Sequence, residues 1–143
     1  MKKGSTLIEA VISMAILLIA LTISTQIFLV ASKSIVIRRN REKANRVSYA
    51  IENEIKYNLT FEEINNLLVN ERLSLDYTEN ILDSLLTNSL SSLNSGNRII
   101  IEKKSNHSVE NNYNIATFKI TINDSNGGIL NEREFIKSYW MEI

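Results

Sequence analysis

The chain has 143 residues (16.3 kDa), room for one modest domain, and its 16 basic and 16 acidic side chains cancel, so no charge imbalance points to a nucleic-acid partner. Within it there is no cysteine, no proline and one histidine, His107. That excludes a disulfide-stapled scaffold, a thiolate metal site, a cysteine nucleophile, a lipoprotein cysteine and a multi-histidine metal centre.

An apolar share of 44% and a mean hydropathy of −0.07 are ordinary averages over an uneven distribution. From Ala10 to Ala31, 22 consecutive residues carry no charge and are mostly Ile, Leu, Ala and Val, whereas Asn fills 18 positions of the whole chain. As a helix rising about 1.5 Å per residue, that run is about 30 Å long, the thickness of a bilayer core. A cleaved secretory signal would use Met1-Lys2-Lys3 as its basic region and the small residues Ala31-Ser32, but its apolar region would be roughly 7–15 residues. A buried core helix would need a larger domain around it than this chain can build. A membrane span is therefore expected. Glu9 stands just before it, where an ionised carboxylate costs several kcal/mol unless it snorkels or finds a partner. The plainer alternative is a carboxylate at headgroup level, favoured by the positive end of the helix dipole.

The run Lys2-Lys3-Gly4-Ser5-Thr6-Leu7-Ile8-Glu9-Ala10, followed at once by a long apolar helix, resembles the N-terminal signal of type IV pilins and pseudopilins. The resemblance covers roughly the first 30 residues; beyond them it is architectural. It implies that a prepilin peptidase cuts between Gly4 and Ser5, that the new terminus at Ser5 is N-methylated, and that Glu9 serves subunit assembly. It also implies residues 1–4 as a leader, 5–31 as a transmembrane and assembly helix, and 32–143 as an extracytoplasmic pilin-like domain. Ser5 stands where the family usually has Phe. Gln26 stands where major pilins carry a helix-breaking Pro, so the helix is expected to run unkinked. Both departures favour a minor pilin or pseudopilin over a main filament subunit. The charge pattern argues the other way on orientation. Lys33, Arg38, Arg39, Arg41, Lys43 and Arg46 follow the span, and by the positive-inside tendency they would hold the C-terminal part in the cytoplasm.

Past the span the helical pattern continues. Ala44, Val47, Ile51 and Ile55 recur at spacings of three, four and four, predicting one helix from about Thr6 to about Tyr57. Residues 58–95 read as two short helices, the first marked by Ile64, Leu67 and Leu68, the second by Ile81, Leu82, Leu85, Leu86, Leu90 and Leu93. Thr60 and Glu63 have capping-box spacing, and Ser95-Gly96-Asn97 breaks the pattern. Strands are expected over 98–102, around Phe118, Ile120 and Ile122, and from about Ile129 to Met141, with a turn at 123–128. The fold class is α+β: a long N-terminal helix, half transmembrane and half amphipathic, on a small antiparallel sheet.

Candidate sites are few. Residues 123–128 lack the spaced carboxylates of a calcium loop and read as a hairpin turn. His107 lies in a polar stretch, 105–112, and reads as a solvated loop residue. Sequons begin at Asn58, Asn106 and Asn123, in a chain rich enough in Asn to produce them by chance. Tyr139 and Trp140 read as sheet packing. For the basic cluster from Lys33 to Arg46, anchoring to lipid headgroups is favoured, then salt bridges between subunits; nucleic acid comes last, because no aromatic residues interleave the cations. No metal, cofactor or catalytic constellation is expected.

The functional expectation is a non-enzymatic minor pilin or pseudopilin, anchored by a single span in the cytoplasmic membrane and then extracted into a pilus or pseudopilus at the surface. Its partners would be other pilin subunits, a prepilin peptidase, a platform protein, a cytoplasmic ATPase and membrane lipid. The competing expectation is an unprocessed, single-span anchored binding or sensor domain. Secretion, DNA uptake, adhesion and motility are left open.

Overall fold

The computed structural model describes residues 3–78, 80–109 and 113–141, with side chains described outside 3–6, 106–109 and 113–114. The chain divides into two compact units, Met1–Arg39 and Asn40–Ile143.

Helix α1 (Lys3–Asn53) supplies the whole described part of the first unit and opens the second. No proline interrupts it, and the expected helical stripe is its packing face in the second unit. Ala44, Val47, Ile51 and Ile55 are each at most 1% exposed. A π-helical turn, Glu54–Asn58, ends the run, and the Leu59 N–H donates to Glu54 O at 3.2 Å. Helix α2 (Phe61–Leu67) starts with the expected capping box. Thr60 Oγ1 accepts from the Glu63 N–H at 3.2 Å, and the Glu63 carboxylate accepts from the Thr60 N–H at 2.8 Å.

Residues 68–75 depart from the helical expectation. Asn70 and Glu71 both have positive φ (53° and 61°), and Val69 and Arg72 exchange backbone hydrogen bonds of 2.9 and 3.1 Å across them. This tight two-residue turn leads into strand β1 (Arg72–Leu75). The second expected helix is also shorter. Helix α3 (Ile81–Thr87) ends at Asn88, and a separate 3-10 turn, Leu90–Ser92, carries Leu90 into the core.

Strands β2 (Ile99–Val109), β3 (Tyr113–Asn123) and β4 (Ile129–Ser138) complete a four-stranded antiparallel sheet in the order β1-β2-β3-β4. β2 and β3 are longer than the apolar pattern implied. The backbone of His107 belongs to β2, opposite Ile115, so the loop expectation for this residue is wrong. The ladder continues through a register shift between Lys103 and Ser105. The inner face of the sheet carries Ile99, Ile101, Phe118, Ile120, Ile122 and Phe135, with the Phe118 and Phe135 rings stacked at 5.7 Å. The β3–β4 turn is as expected. The Asp124 carboxylate accepts from the Asn126 and Gly128 N–H groups at 2.8 and 2.7 Å, and Gly127 takes a φ of 82°. Tyr139 and Trp140 lie on a 3-10 turn after β4, both exposed and edge-to-face with each other at 5.2 Å, so the sheet-packing expectation fails for both.

Polar groups bind α1 to β4 within the second unit. Ser48 donates to Asn131 at 2.7 Å, and Glu52 accepts from Arg133 at 2.7 Å and from Lys56 at 2.6 Å. Lys137 is fully buried. Its ammonium donates to Leu59 O at 2.7 Å and Lys56 O at 3.0 Å and lies 5.4 Å from the Phe61 ring centroid. It thereby satisfies carbonyls that the end of a helix leaves without partners.

Candidate functional site

The N-terminal helix carries the residues singled out for processing and assembly. Lys3, Gly4 and Ser5 lie in the first turn of α1; Met1 and Lys2, the rest of the expected leader, lie outside the described residues. In a first turn the backbone N–H groups have no intrahelical acceptor, so these residues unwind at little cost. Glu9 lies in the helix's second turn and is exposed.

From Leu7 to Ile37, every large apolar side chain is more than half exposed. These side chains cover all sides of the helix, and each would gain roughly 1.5–3 kcal/mol on leaving water. An apolar surround, lipid or other helices, is the environment this surface fits. The helix is long and apolar enough to cross a membrane, with a mean hydropathy of 2.4 over its most apolar stretch. Four of its hydroxyls fit the same environment. Thr22, Ser24, Thr25 and Ser32 each donate to a carbonyl three or four residues back, at 2.8–2.9 Å, and so bring no unpaired donor into it. Gln26, in the place of the expected kink, continues the helix.

Among the described residues no group of three or more His, Cys, Asp or Glu side chains could hold a metal ion. Hydrogen bonds from the Thr60 backbone and hydroxyl hold the Glu63 carboxyl below its usual value. Lys104 lies 2.9 Å from Glu102, and their hydrogen bond lowers the Glu102 carboxyl and raises the Lys104 ammonium. Burial raises the Tyr77 phenol, against the opposing charge of Arg98.

Sequence reasoning missed one feature of the second unit. Lys43 and Arg46, known only as members of the basic cluster, share a cleft with Arg98 and Tyr77. Arg98 and Tyr77 are 52 or more and 31 or more residues further along the chain, so only the fold could bring them in.

Residues 1–25 match the family model of the prokaryotic N-terminal methylation motif. The N terminus therefore carries the prepilin-type signal of type IV pilins and pseudopilins. The match ends inside the apolar stretch and leaves the sheet-bearing unit uncovered. No curated protein and no solved structure matches the chain. The motif and the α+β fold, a long N-terminal helix with a four-stranded antiparallel sheet, together support a type IV pilin-like protein with a structural role.

Proposed function

We propose that the chain is a minor pilin or pseudopilin subunit. A prepilin peptidase removes residues 1–4 between Gly4 and Ser5, Ser5 is N-methylated, and residues 5–31 hold the subunit in the cytoplasmic membrane until it enters a filament. In this reading residues 32–143 are extracytoplasmic, and a platform protein and an ATPase do the work of assembly. The observation that carries the proposal is the methylation motif at residues 1–25, continuous with a helix whose apolar side chains are exposed all round.

The chemistry follows from Gly4, Ser5 and Glu9. Gly4 places no side chain at the cut, so the backbone can lie extended in a protease cleft. Cleavage exposes a cationic amine on Ser5, four residues before Glu9. Among helices packed in a filament core, that amine and the Glu9 carboxylate of a neighbouring subunit can neutralise each other. Leaving either buried alone costs roughly 3–5 kcal/mol, enough to set the axial register between subunits.

The basic residues from Lys33 to Arg46 favour a second reading, an unprocessed membrane anchor with its C-terminal part in the cytoplasm. Glu9→Ala separates the two. The assembly reading expects normal membrane insertion and loss of the subunit from sheared filament fractions. Equal recovery of Glu9→Ala and the parent chain in those fractions would contradict it.

A further inference from the structure

The cleft missed by sequence reasoning lies wholly within the second unit and has a volume of about 380 Å³, within the range of small-ligand sites. Its cations come from two separate places in the chain. Lys43 and Arg46 are one turn apart on α1, and Arg98 enters from the bend just before β2. Among the described residues, Lys43 and Arg46 make no hydrogen bond or ion pair, although both line the cleft.

Arg98 is held in place. Its Nη1 donates to Tyr77 O at 3.0 Å, its Nε to Asn123 O at 3.4 Å, and its guanidinium lies 5.0 Å from the centroid of the Tyr77 ring. A guanidinium has five N–H donors, so three stay uncommitted in a group already fixed in position. One carboxylate among the described residues, Asp124, lines the cleft, and its Oδ1 already accepts two backbone N–H groups of the hairpin turn. Glu79 lies outside the described residues. Val47, Ile81 and Leu130 add an apolar part to the same wall.

We propose that this cleft binds a phosphate mono- or diester whose attached body rests on the apolar wall. A fixed cation and two unpaired ones converging on one volume suit a compact, multiply charged oxyanion, to which Arg offers paired donors and Lys a point charge. A bounded cleft with an apolar wall also fits a single headgroup better than a polymer, which would need a continuous track of cations with stacking aromatics. The inference is independent of N-terminal processing.

The test uses the full chain in a neutral detergent, with the arginine side-chain Nε–H signals of Arg46 and Arg98 followed by NMR. Inorganic phosphate and short-chain phosphatidylglycerol are titrated separately against sodium chloride of matched ionic strength. Saturable shifts at both arginines with either ligand are expected. The Kd of the Lys43→Gln/Arg46→Gln variant, then read at Arg98, should rise roughly tenfold or more, the effect of losing charge-assisted contacts. Arg41→Gln, outside the cleft lining, should leave Kd unchanged. Both replaced cations are exposed and, among the described residues, unpaired; unchanged backbone amide signals of β2, β3 and β4 check the fold of each variant. Tighter lipid binding supports an ester whose body rests on the apolar wall; an equal response to the two ligands would overturn that part of the proposal. Shifts that sodium chloride reproduces, an unchanged Kd in the double variant, or an equal loss in Arg41→Gln would overturn the proposal. So would a response confined to a DNA oligonucleotide.

Discussion

Replacing Lys137 with Met tests whether the buried ammonium holds the end of α1 on the sheet. Met keeps most of the side-chain volume and removes the ammonium with its hydrogen bonds to Leu59 O at 2.7 Å and Lys56 O at 3.0 Å. Each buried carbonyl left without a donor costs about 1–3 kcal/mol. Relief from burying an ammonium returns part of this. The net expected loss is about 2–3 kcal/mol, or roughly 1–2 M in the urea midpoint for a unit of this size. Lys137→Ala adds a cavity beside Phe61 and should lose about 3–5 kcal/mol. The backbone amide signals of β2, β3 and β4 in the full chain in micelles are the suitable probe, because these strands belong to the second unit. Amide exchange should also accelerate across the π-helical turn, residues 54–58, before global unfolding. An unchanged midpoint with unchanged exchange in Lys137→Met would show that the ammonium does not hold the helix end, since the two carbonyls would then have found other partners at no cost.

Three further outcomes are expected in the same unit. Gly96→Ala should destabilise it by about 3 kcal/mol, because a Cβ there would lie 2.5–2.7 Å from the Cα, N and Cβ of Asp76; urea melts would show it. Glu71→Gly should stabilise the unit by about 1 kcal/mol, since Glu71 takes a φ of 61° that costs a non-glycine residue; a melt no higher than that of the parent chain would count against the turn described. The Glu63 carboxyl is held low in the folded state, so its contribution is present above its unfolded value and is lost as pH falls through the folded one. Acid titration of Thr60→Ala should accordingly show a smaller loss over that interval than the parent chain does.

Much of the fold was legible because burial follows period. Ala44, Val47, Ile51 and Ile55 could be read as one helix face, and Phe118, Ile120 and Ile122 as one strand face, and all seven are buried. The missed elements break that link. The turn before β1 uses Asn70 and Glu71 at positive φ in place of a glycine, so nothing in the composition announced it. β2 extends through polar residues because β3 pairs with it residue by residue, from Ser105 opposite Thr117 to Val109 opposite Tyr113; the ladder supplies what the side-chain pattern does not. β4 inverts the usual pattern near its end. Lys137 is buried while the adjacent Ile136 is exposed, because that lysine answers the helix-end carbonyls. The site divides in the same way. The N-terminal motif is local, so its residues could be named from sequence, whereas the cleft joins residues 43 and 98 and exists only in the folded chain.

Whether the N terminus is a processed assembly signal is read most directly from the intact mass and N-terminal sequence of the chain. It would be expressed with and without an active prepilin peptidase of the matching system. The expected product is a mature chain beginning at Ser5 and carrying one added methyl group, formed only when the peptidase is present. A chain still beginning at Met1, beside a control prepilin that the same enzyme cuts to completion, would contradict it and favour the unprocessed anchor.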